Sequence, residues 1–214
     1  MKPLTLSGLY VCEGTSDLPL ADIIETLFLE KGVEIRLTKP DFRILAGVPK
    51  DVESRITAGL ALLGFDPDII VVHRDADGDG WERRKKEIRT AVNHAAPQIP
   101  CVVSVIPVRM TEAWLLLDET AIRRVAGKPS GKASLNLPGP KKIESEPDPK
   151  QLLKMCLLEA SECTGRRRER VAKRFNEHRR QLLERVGGSE GVKTLPSWQR
   201  LLDEVDAVIA GLED

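Results

Sequence analysis

One stretch of the sequence decides the fold, and it reads DIIVVHRDADGDG from Asp68 to Gly80. Its first half is a continuous apolar run, which is typical of a central parallel strand that is covered on both faces. Its second half places Asp75, Asp77 and Asp79 at alternate positions. Similar apolar runs alternate with helical patterns along the chain. This alternation predicts an α/β fold with a doubly wound, mostly parallel, Rossmann-like sheet and an added C-terminal helical part.

The same periodicities place the other elements. Strands are predicted over residues 4–12, 33–37, 68–73 and 101–107, and helices over residues 18–31, 52–63, 81–94, 111–125, 150–162, 166–186 and 195–212. Five prolines between positions 127 and 149 predict a long loop there. The predicted organisation is an α/β domain over residues 1–126, a Pro/Gly-rich loop over 127–149, and a helical segment over 150–214 that packs on the core.

The composition excludes several classes of protein. The chain has 214 residues, equal numbers of basic and acidic residues, and 41% hydrophobic residues, so general disorder is excluded. No apolar run approaches about 20 residues, so no membrane association is expected. The four cysteines are scattered without a CxxC pair, which predicts reduced thiols in a cytoplasmic protein. Three histidines are too few for a His-rich zinc enzyme.

The charges cancel over the whole chain but not locally. Residues 66–80 hold five Asp against one Arg, a sum of −4, whereas residues 166–185 hold nine Arg or Lys against three Glu, a sum of +6. An acidic centre and a basic segment together suggest a metal site and an anionic partner. The alternative for the basic segment is the solvated face of a helix.

Acids follow two of the predicted strands directly. Glu13 follows the first strand, and Asp75 and Asp77 follow the strand that ends at His73. Because the carboxyl ends of parallel strands meet at one edge of a sheet, these three carboxylates could converge there. Crowded carboxylates raise one another's pKa unless a cation lies between them. Oxygen ligands without His or Cys suit Mg²⁺ or Mn²⁺. The alternative for residues 75–80 is a plain acidic turn.

Two other known motifs share part of this acidic segment. An EF-hand loop that begins at Asp75 would need Glu at its twelfth position, where the chain has Lys86, so that motif is rejected. The D-x-D-G-T pattern of aspartyl-phosphate hydrolases fits as far as Gly78, but Asp79 stands in place of the Thr. A phosphatase with Asp75 as nucleophile therefore stays an alternative.

Taken together, these residues resemble a TOPRIM domain, the metal-dependent module of topoisomerases, bacterial primases and several nucleases. That family has a Glu-Gly step after its first strand, matched here by Glu13-Gly14, and a D-x-D-x-x-G step after its third, matched by residues 75–80. The resemblance covers roughly residues 4 to 110. The stretches 107–116 and 148–150 also resemble stand-alone TOPRIM-like proteins that are grouped with phage-defence nucleases.

The resemblance implies a role for each matched residue. Glu13 would be the general acid/base or a metal ligand, Asp75 and Asp77 would hold Mg²⁺, and Asp79 could assist. Glu112 could help to hold a second metal ion, although it is equally explained as an acid in the first turn of a helix. Asp17 is open to the same two interpretations, and Gly14 and Gly80 complete the two motifs.

The sequence departs from the larger members of the family. Tyr10 is the only tyrosine and lies within a predicted strand, so a covalent tyrosyl–DNA mechanism is excluded. Zinc-ribbon cysteines and a phosphate-binding loop are absent from the sequence, which excludes a complete topoisomerase, primase or ATPase-fused nuclease in this chain. A separate ATPase subunit stays possible as a partner.

The predicted function is Mg²⁺-dependent phosphodiester chemistry on DNA or RNA, as a nuclease in defence or repair. Basic residues are predicted to neutralise backbone phosphates; they are Arg109, Lys141, Lys142, Arg166, Arg167 and Arg170. Few aromatic residues, 4%, argue against a stacking platform for single strands. The alternatives are a non-catalytic metal-binding subunit of a defence complex and the Asp-nucleophile phosphatase.

Overall fold

A four-stranded, all-parallel sheet organises the computed structural model, which describes residues 5–45 and 47–213. The strands are β1 (Thr5–Val11), β2 (Glu34–Thr38), β3 (Ile69–His73) and β4 (Cys101–Val105). Their order in the sheet is β2-β1-β3-β4. The chain therefore moves outward from β1 to β2, returns past β1 to β3, and continues to β4. The predicted α/β class with a parallel, Rossmann-like sheet is confirmed.

Helices connect the strands and make up most of the C-terminal half. They are α1 (Pro19–Glu30), α2 (Val52–Leu63), α3 (Trp81–Ala95), α4 (Glu112–Leu115), α5 (Glu119–Val125), α6 (Pro140–Ile143), α7 (Pro149–Ala160), α8 (Gly165–Lys173), α9 (Phe175–Leu183) and α10 (Pro196–Glu213). Short 3₁₀ turns cover Thr15–Asp17, Phe42–Ile44, Val186–Gly188 and Val192–Thr194. The added helical part that was predicted after the sheet is therefore present.

Two predicted helices are each divided in the structure. The helix expected over residues 111–125 is α4 and α5, because the Asp118 side chain accepts a hydrogen bond from the Ala121 N–H and begins a new helix. The helix expected over residues 166–186 is α8 and α9, which meet at Arg174. The loop predicted over residues 127–149 contains the short helix α6.

The chain divides into two compact units. The first comprises residues 1–74, 79–106 and 200–214, and its described part holds the sheet, α1 to α3 and most of α10. The second comprises residues 75–78 and 107–199, with α4 to α9 and the start of α10. The boundaries expected at 126/127 and 149/150 remain predictions.

In the first unit, β3 is buried along its whole length, as a central strand should be. Gly8 in β1 lies where β1 passes between β2 and β3, and a Cβ atom there would come within 2.9 Å of the Ile69 Cγ2 atom. A larger residue at position 8 would therefore force the side chains of the neighbouring strands to move. The two strands on either side of Gly8 explain a glycine in the middle of a buried strand.

The second unit has its own core, which centres on two tryptophans. Trp114 in α4 and Trp198 in α10 are almost fully buried, and their rings meet edge to face with centroids 5.1 Å apart. The Trp114 indole N–H donates to the Ser197 hydroxyl at 2.8 Å, so the polar atom of this buried ring is satisfied.

Helices long and apolar enough to cross a membrane are absent from the described part of the chain.

Candidate functional site

In the first unit, the sheet brings the ends of β1 and β3 to the same edge. Val11, the last residue of β1, is the register partner of Val72, one residue before the end of β3. The chain leaves β1 through Cys12, Glu13 and Gly14 and enters the 3₁₀ turn before α1. It leaves β3 at Arg74, whose N–H donates to the Val105 carbonyl at 3.1 Å.

Arg74 links two acids at this edge. Its guanidinium forms an ion pair with the Glu13 carboxylate and a second one, at 3.1 Å, with Glu87 of α3. The Arg74 side chain is only 15% exposed, whereas the Glu13 side chain is 44% exposed. A largely desolvated guanidinium binds carboxylates more strongly than an exposed one does. Glu13 is thus held at the strand edge by the last residue before the Asp75 segment.

The ion pairs continue from Glu87 towards the start of α3. Arg84 contacts Glu87 at 2.7 Å and Asp79 at 3.0 Å, and Arg83 contacts Asp79 at 2.8 Å. Gly80, which precedes α3, has φ 82°, a conformation that favours glycine. Asp79 therefore lies in a network of alternating charges in which both arginines neutralise its carboxylate.

In the second unit, Asp75 is held by Thr111. One carboxylate oxygen, Oδ1, accepts from the Thr111 N–H at 3.0 Å and from the Thr111 hydroxyl at 3.1 Å. Thr111 is fully buried, so its two donors are rigidly placed. This interaction fixes the orientation of Asp75 before α4 begins.

Hydrogen bonds join the backbone around Asp77 to residues 107–109. The Ala76 N–H donates to the Pro107 carbonyl at 3.0 Å, and the Asp77 N–H donates to the Arg109 carbonyl at 2.9 Å. Asp77 and Arg109 both have positive φ, 50° and 59°. Such a conformation is uncommon outside glycine and costs free energy. The two hydrogen bonds maintain this conformation. Asp77 and Arg109, both predicted site residues, therefore lie in two adjacent segments with strained backbone.

Two further predicted site residues, Glu112 and Asp17, are buried acids. Glu112 Oε1 accepts from Arg179 Nε at 2.8 Å, and both side chains are more than nine-tenths buried. Its predicted role as a ligand for a second metal ion would require this pair to separate. The Asp17 carbonyl accepts from the Tyr10 hydroxyl at 3.0 Å. Gly14, in contrast, is extended, and a Cβ atom there would make only ordinary contacts.

The predicted phosphate-binding residues lie in the second unit. Lys141 and Lys142 are exposed in α6, and Arg166, Arg167 and Arg170 are exposed in α8. None of these five pairs with an acid within residues 5–45 and 47–213, whereas the neighbouring Arg168 pairs with Glu159 at 2.6 Å. Unpaired exposed cations are available to bind an anion.

The donor chemistry fits a hard divalent cation, although the carboxylates are engaged in the structure. Among the described residues, no three His, Cys, Asp or Glu side chains are placed to hold one ion. Asp75 uses Oδ1 for Thr111, and Glu13 is paired with Arg74. Because Glu87 also binds Arg74, Glu13 can leave the pair without stranding the buried guanidinium. Carboxylate oxygens are the ligands that Mg²⁺ prefers.

Sequence reasoning missed the partners of the predicted acids. Arg74 stands beside Asp75 in the sequence but pairs with Glu13. Thr111 stands beside Glu112 but donates to Asp75, so neighbours in the sequence do not identify these partners. Arg179 is 67 residues from Glu112, and no local pattern points to it.

Comparisons with known proteins found no matching family model, no matching curated protein and no matching solved structure.

Proposed function

We propose that this chain hydrolyses phosphodiester bonds in DNA or RNA with Mg²⁺ or Mn²⁺ through a TOPRIM-like set of acids. Glu13, Asp75 and Asp77 are the proposed catalytic carboxylates, and Asp79 and Glu112 are the proposed auxiliary ligands. The four free thiols fit a reducing compartment such as the cytoplasm, and a separate ATPase subunit is a possible partner.

One observation carries the proposal. The Glu13 carboxylate contacts Arg74, and Asp75 follows Arg74 directly in the chain. Glu13 and Asp75 are 62 positions apart in sequence, and the parallel register of β1 and β3 brings Glu13 and Arg74 to one edge of the sheet. Ligands of open parallel sheets bind at this edge.

The residues around the acids support a separate role for each acid. Thr111 orients Asp75 through two hydrogen bonds to its Oδ1 atom, which supports a fixed position of this carboxylate beside a cation. Asp77 projects from a backbone held in a strained conformation, which pre-organises it. A bound Mg²⁺ ion would supply Lewis acidity and lower the pKa of a bound water. Glu13, freed from Arg74, would accept the proton of the attacking water.

The exposed cations support a polyanionic substrate. The five exposed Lys and Arg residues of α6 and α8 lack acidic partners in the described chain, so they can contact backbone phosphates without breaking ion pairs. Contacts of this kind weaken steeply with salt and carry little base preference. Cleavage that is insensitive to salt would contradict this part of the proposal.

The test is a cleavage assay with plasmid and with end-labelled DNA and RNA oligonucleotides, in Mg²⁺, Mn²⁺ or EDTA. We expect metal-dependent cleavage, and the Glu13→Gln variant should lose about 100-fold or more of the rate. Glu30→Gln, which changes an exposed acid of α1, is the matched control and should cleave at the wild-type rate. The absence of both cleavage and metal uptake by calorimetry would refute the proposal.

The two alternatives give different results in the same experiments. Metal uptake without cleavage of any nucleic acid would favour the non-catalytic subunit. Trapping of an acyl-phosphate on Asp75 would favour the phosphatase. Trapping is performed on the wild-type chain, in which Thr111 donates two hydrogen bonds to Asp75 Oδ1.

A further inference from the structure

A cleft of about 480 Å³ opens beside Glu13, wholly within the first unit. One wall is the turn after β1, and the other is the segment that contains Phe42, Arg43 and Lys50. Arg55 of α2 closes it. Cavities of this size hold small organic ligands.

Arg55 is an unusual residue to find in such a wall. It is only 7% exposed, and one of its terminal nitrogens donates to the Cys12 carbonyl at the end of β1. Its Nε atom is buried without a hydrogen-bond partner. No carboxylate lies within ion-pair distance of it in the described part of the chain, although the Phe42 ring lies 5.3 Å from its guanidinium carbon. A buried cation without an acid is costly, and a bound anion would remove that cost.

The other charges of the cleft leave a positive excess. Arg43 is neutralised by Asp41 through contacts at 2.6 and 2.9 Å, and Glu13 is neutralised by Arg74. Lys50 is exposed and has no acidic partner within the described residues. Arg55 and Lys50 are therefore the two cations that the cleft offers to a ligand.

Part of the remaining lining is apolar and only partly covered, and the turn after β1 adds the polar residues Thr15 and Ser16. The apolar part includes Leu18, Pro40, Phe42, Leu45 and Val48, all of intermediate exposure. Two cations beside a partly exposed aromatic and aliphatic surface match a ligand with an anionic end and a flat, apolar body. A nucleotide has this chemistry, since its phosphate pairs with Arg or Lys and its base stacks on side chains.

We propose that this cleft binds a nucleotide, with the phosphate at Arg55 and Lys50 and the base against Phe42 and its apolar neighbours. The proposal rests on the proposed function in taking nucleic acid as the source of the ligand. The cleft then seats the nucleotide next to the cleaved bond and places it beside Glu13. The same chemistry would also accept a free nucleotide, and the two sources are separated below.

Binding is measured on the full chain in EDTA, so that it is independent of metal-dependent cleavage. The probes are adenosine 5′-monophosphate, adenosine and a 5′-phosphorylated dinucleotide. Saturation-transfer NMR measures the binding of each probe to the protein. We expect the monophosphate to bind at least about tenfold more tightly than adenosine, because charge-assisted hydrogen bonds to the phosphate are lost in the nucleoside. A dinucleotide that binds more tightly than the monophosphate identifies a strand as the ligand, and the reverse order identifies a free nucleotide.

Three variants locate the site. Lys50→Ala removes an exposed side chain and should weaken monophosphate binding about threefold or more, while Lys154→Ala, the matched exposed control in α7, should leave binding unchanged. Arg55→Met should weaken it about tenfold or more, and circular dichroism checks that this variant is folded. If Arg55 serves only to hold the turn at Cys12, the Lys50→Ala variant should bind the monophosphate as the wild type does.

Equal binding of monophosphate and adenosine, unchanged binding in Lys50→Ala, or no binding at millimolar ligand would each overturn the cleft proposal. These results leave the hydrolysis proposal standing if the wild-type chain still cleaves nucleic acid with Mg²⁺. Conversely, nucleotide binding in EDTA by a chain that shows neither cleavage with Mg²⁺ nor metal uptake supports the cleft and refutes the hydrolysis proposal.

Discussion

Glu112 and Arg179 form an ion pair within the second unit, at 2.8 Å, that joins α4 to α9 across 67 residues of sequence. Both side chains are almost completely removed from solvent, 4% and 6% exposed. Removal of the Glu112 carboxylate would take a buried negative charge away from the buried Arg179 guanidinium. The Glu112→Ala variant should therefore lower the free energy of unfolding by about 3–5 kcal/mol, measured by urea denaturation.

The exposed pair Glu190–Lys193, at 2.7 Å, provides the matched control for this prediction. Glu190→Ala should change the urea midpoint far less, because solvent screens an exposed pair. If Glu112→Ala and Glu190→Ala have the same midpoint, the Glu112–Arg179 pair does not contribute as described.

Thr111 provides a test of how Asp75 is oriented. Thr111→Val removes the hydroxyl that donates to Asp75 Oδ1 at 3.1 Å but keeps the backbone N–H. We expect metal-dependent cleavage to fall about 10- to 100-fold, the range for hydrogen bonds that orient metal ligands. Thr111→Ser keeps the hydroxyl and should retain most of the activity. Equal rates for the Val and Ser variants would show that the hydroxyl does not position Asp75.

Ser197 satisfies the indole N–H of Trp114 in the core of the second unit. Ser197→Ala leaves that donor buried and unpaired, which should cost about 1–3 kcal/mol of unfolding free energy. Thermal unfolding followed by tryptophan fluorescence measures the loss. Ser134→Ala removes an exposed hydroxyl that donates to Asn136, and its melting temperature should stay at the wild-type value.

The cysteines should differ in their reactivity towards thiol reagents. Burial raises the pKa of Cys12 to about 12 and that of Cys156 to about 11, and it also raises the pKa of Cys101. Only the thiolate reacts, so these thiols are almost entirely in their unreactive form at pH 8. Cys163, which is partly exposed, should therefore be modified first. Mass spectrometry after labelling of the folded protein identifies the site, and Cys12 labelled before Cys163 would contradict this order.

His178 should make the stability of the second unit depend on pH. Burial, followed by the charge of Arg174, lowers the pKa of His178 in the folded protein, and Glu177 opposes this weakly. The unfolded chain then binds the proton more readily. The stability contributed by neutral His178 is fully present above the unfolded pKa of about 6.5 and is lost as the pH falls through the folded pKa.

Urea denaturation at pH 7.5 and pH 5 measures this effect. Wild type should lose more unfolding free energy between the two values than His178→Leu does. His94 is exposed, and His94→Gln should keep the wild-type difference. A His178→Leu variant with the full wild-type pH dependence would show that other groups are responsible.

Local patterns were sufficient for most of the fold. The strand β3 and the helix over residues 52–63 were predicted with nearly the observed bounds. A continuous apolar run and a 3.6-residue period of apolar residues can each be seen within one contiguous stretch of sequence. The divisions at Asp118 and Arg174 were not predicted, since apolar spacing continues across both positions. A side-chain cap such as Asp118 interrupts a helix without interrupting the periodicity.

The sequence by itself determined the parallel sheet and the order in which Glu13, Asp75 and Asp77 leave its strands, because strand direction and chain order follow from the pattern of elements. Only the tertiary structure decided what each acid contacts. Arg74 binds Glu13, and Thr111 orients Asp75. Arg179 neutralises the buried carboxylate of Glu112. These partners are chosen by packing between segments that are distant in sequence, and the free energy of a buried charge depends on those neighbours rather than on the residues beside it in the chain.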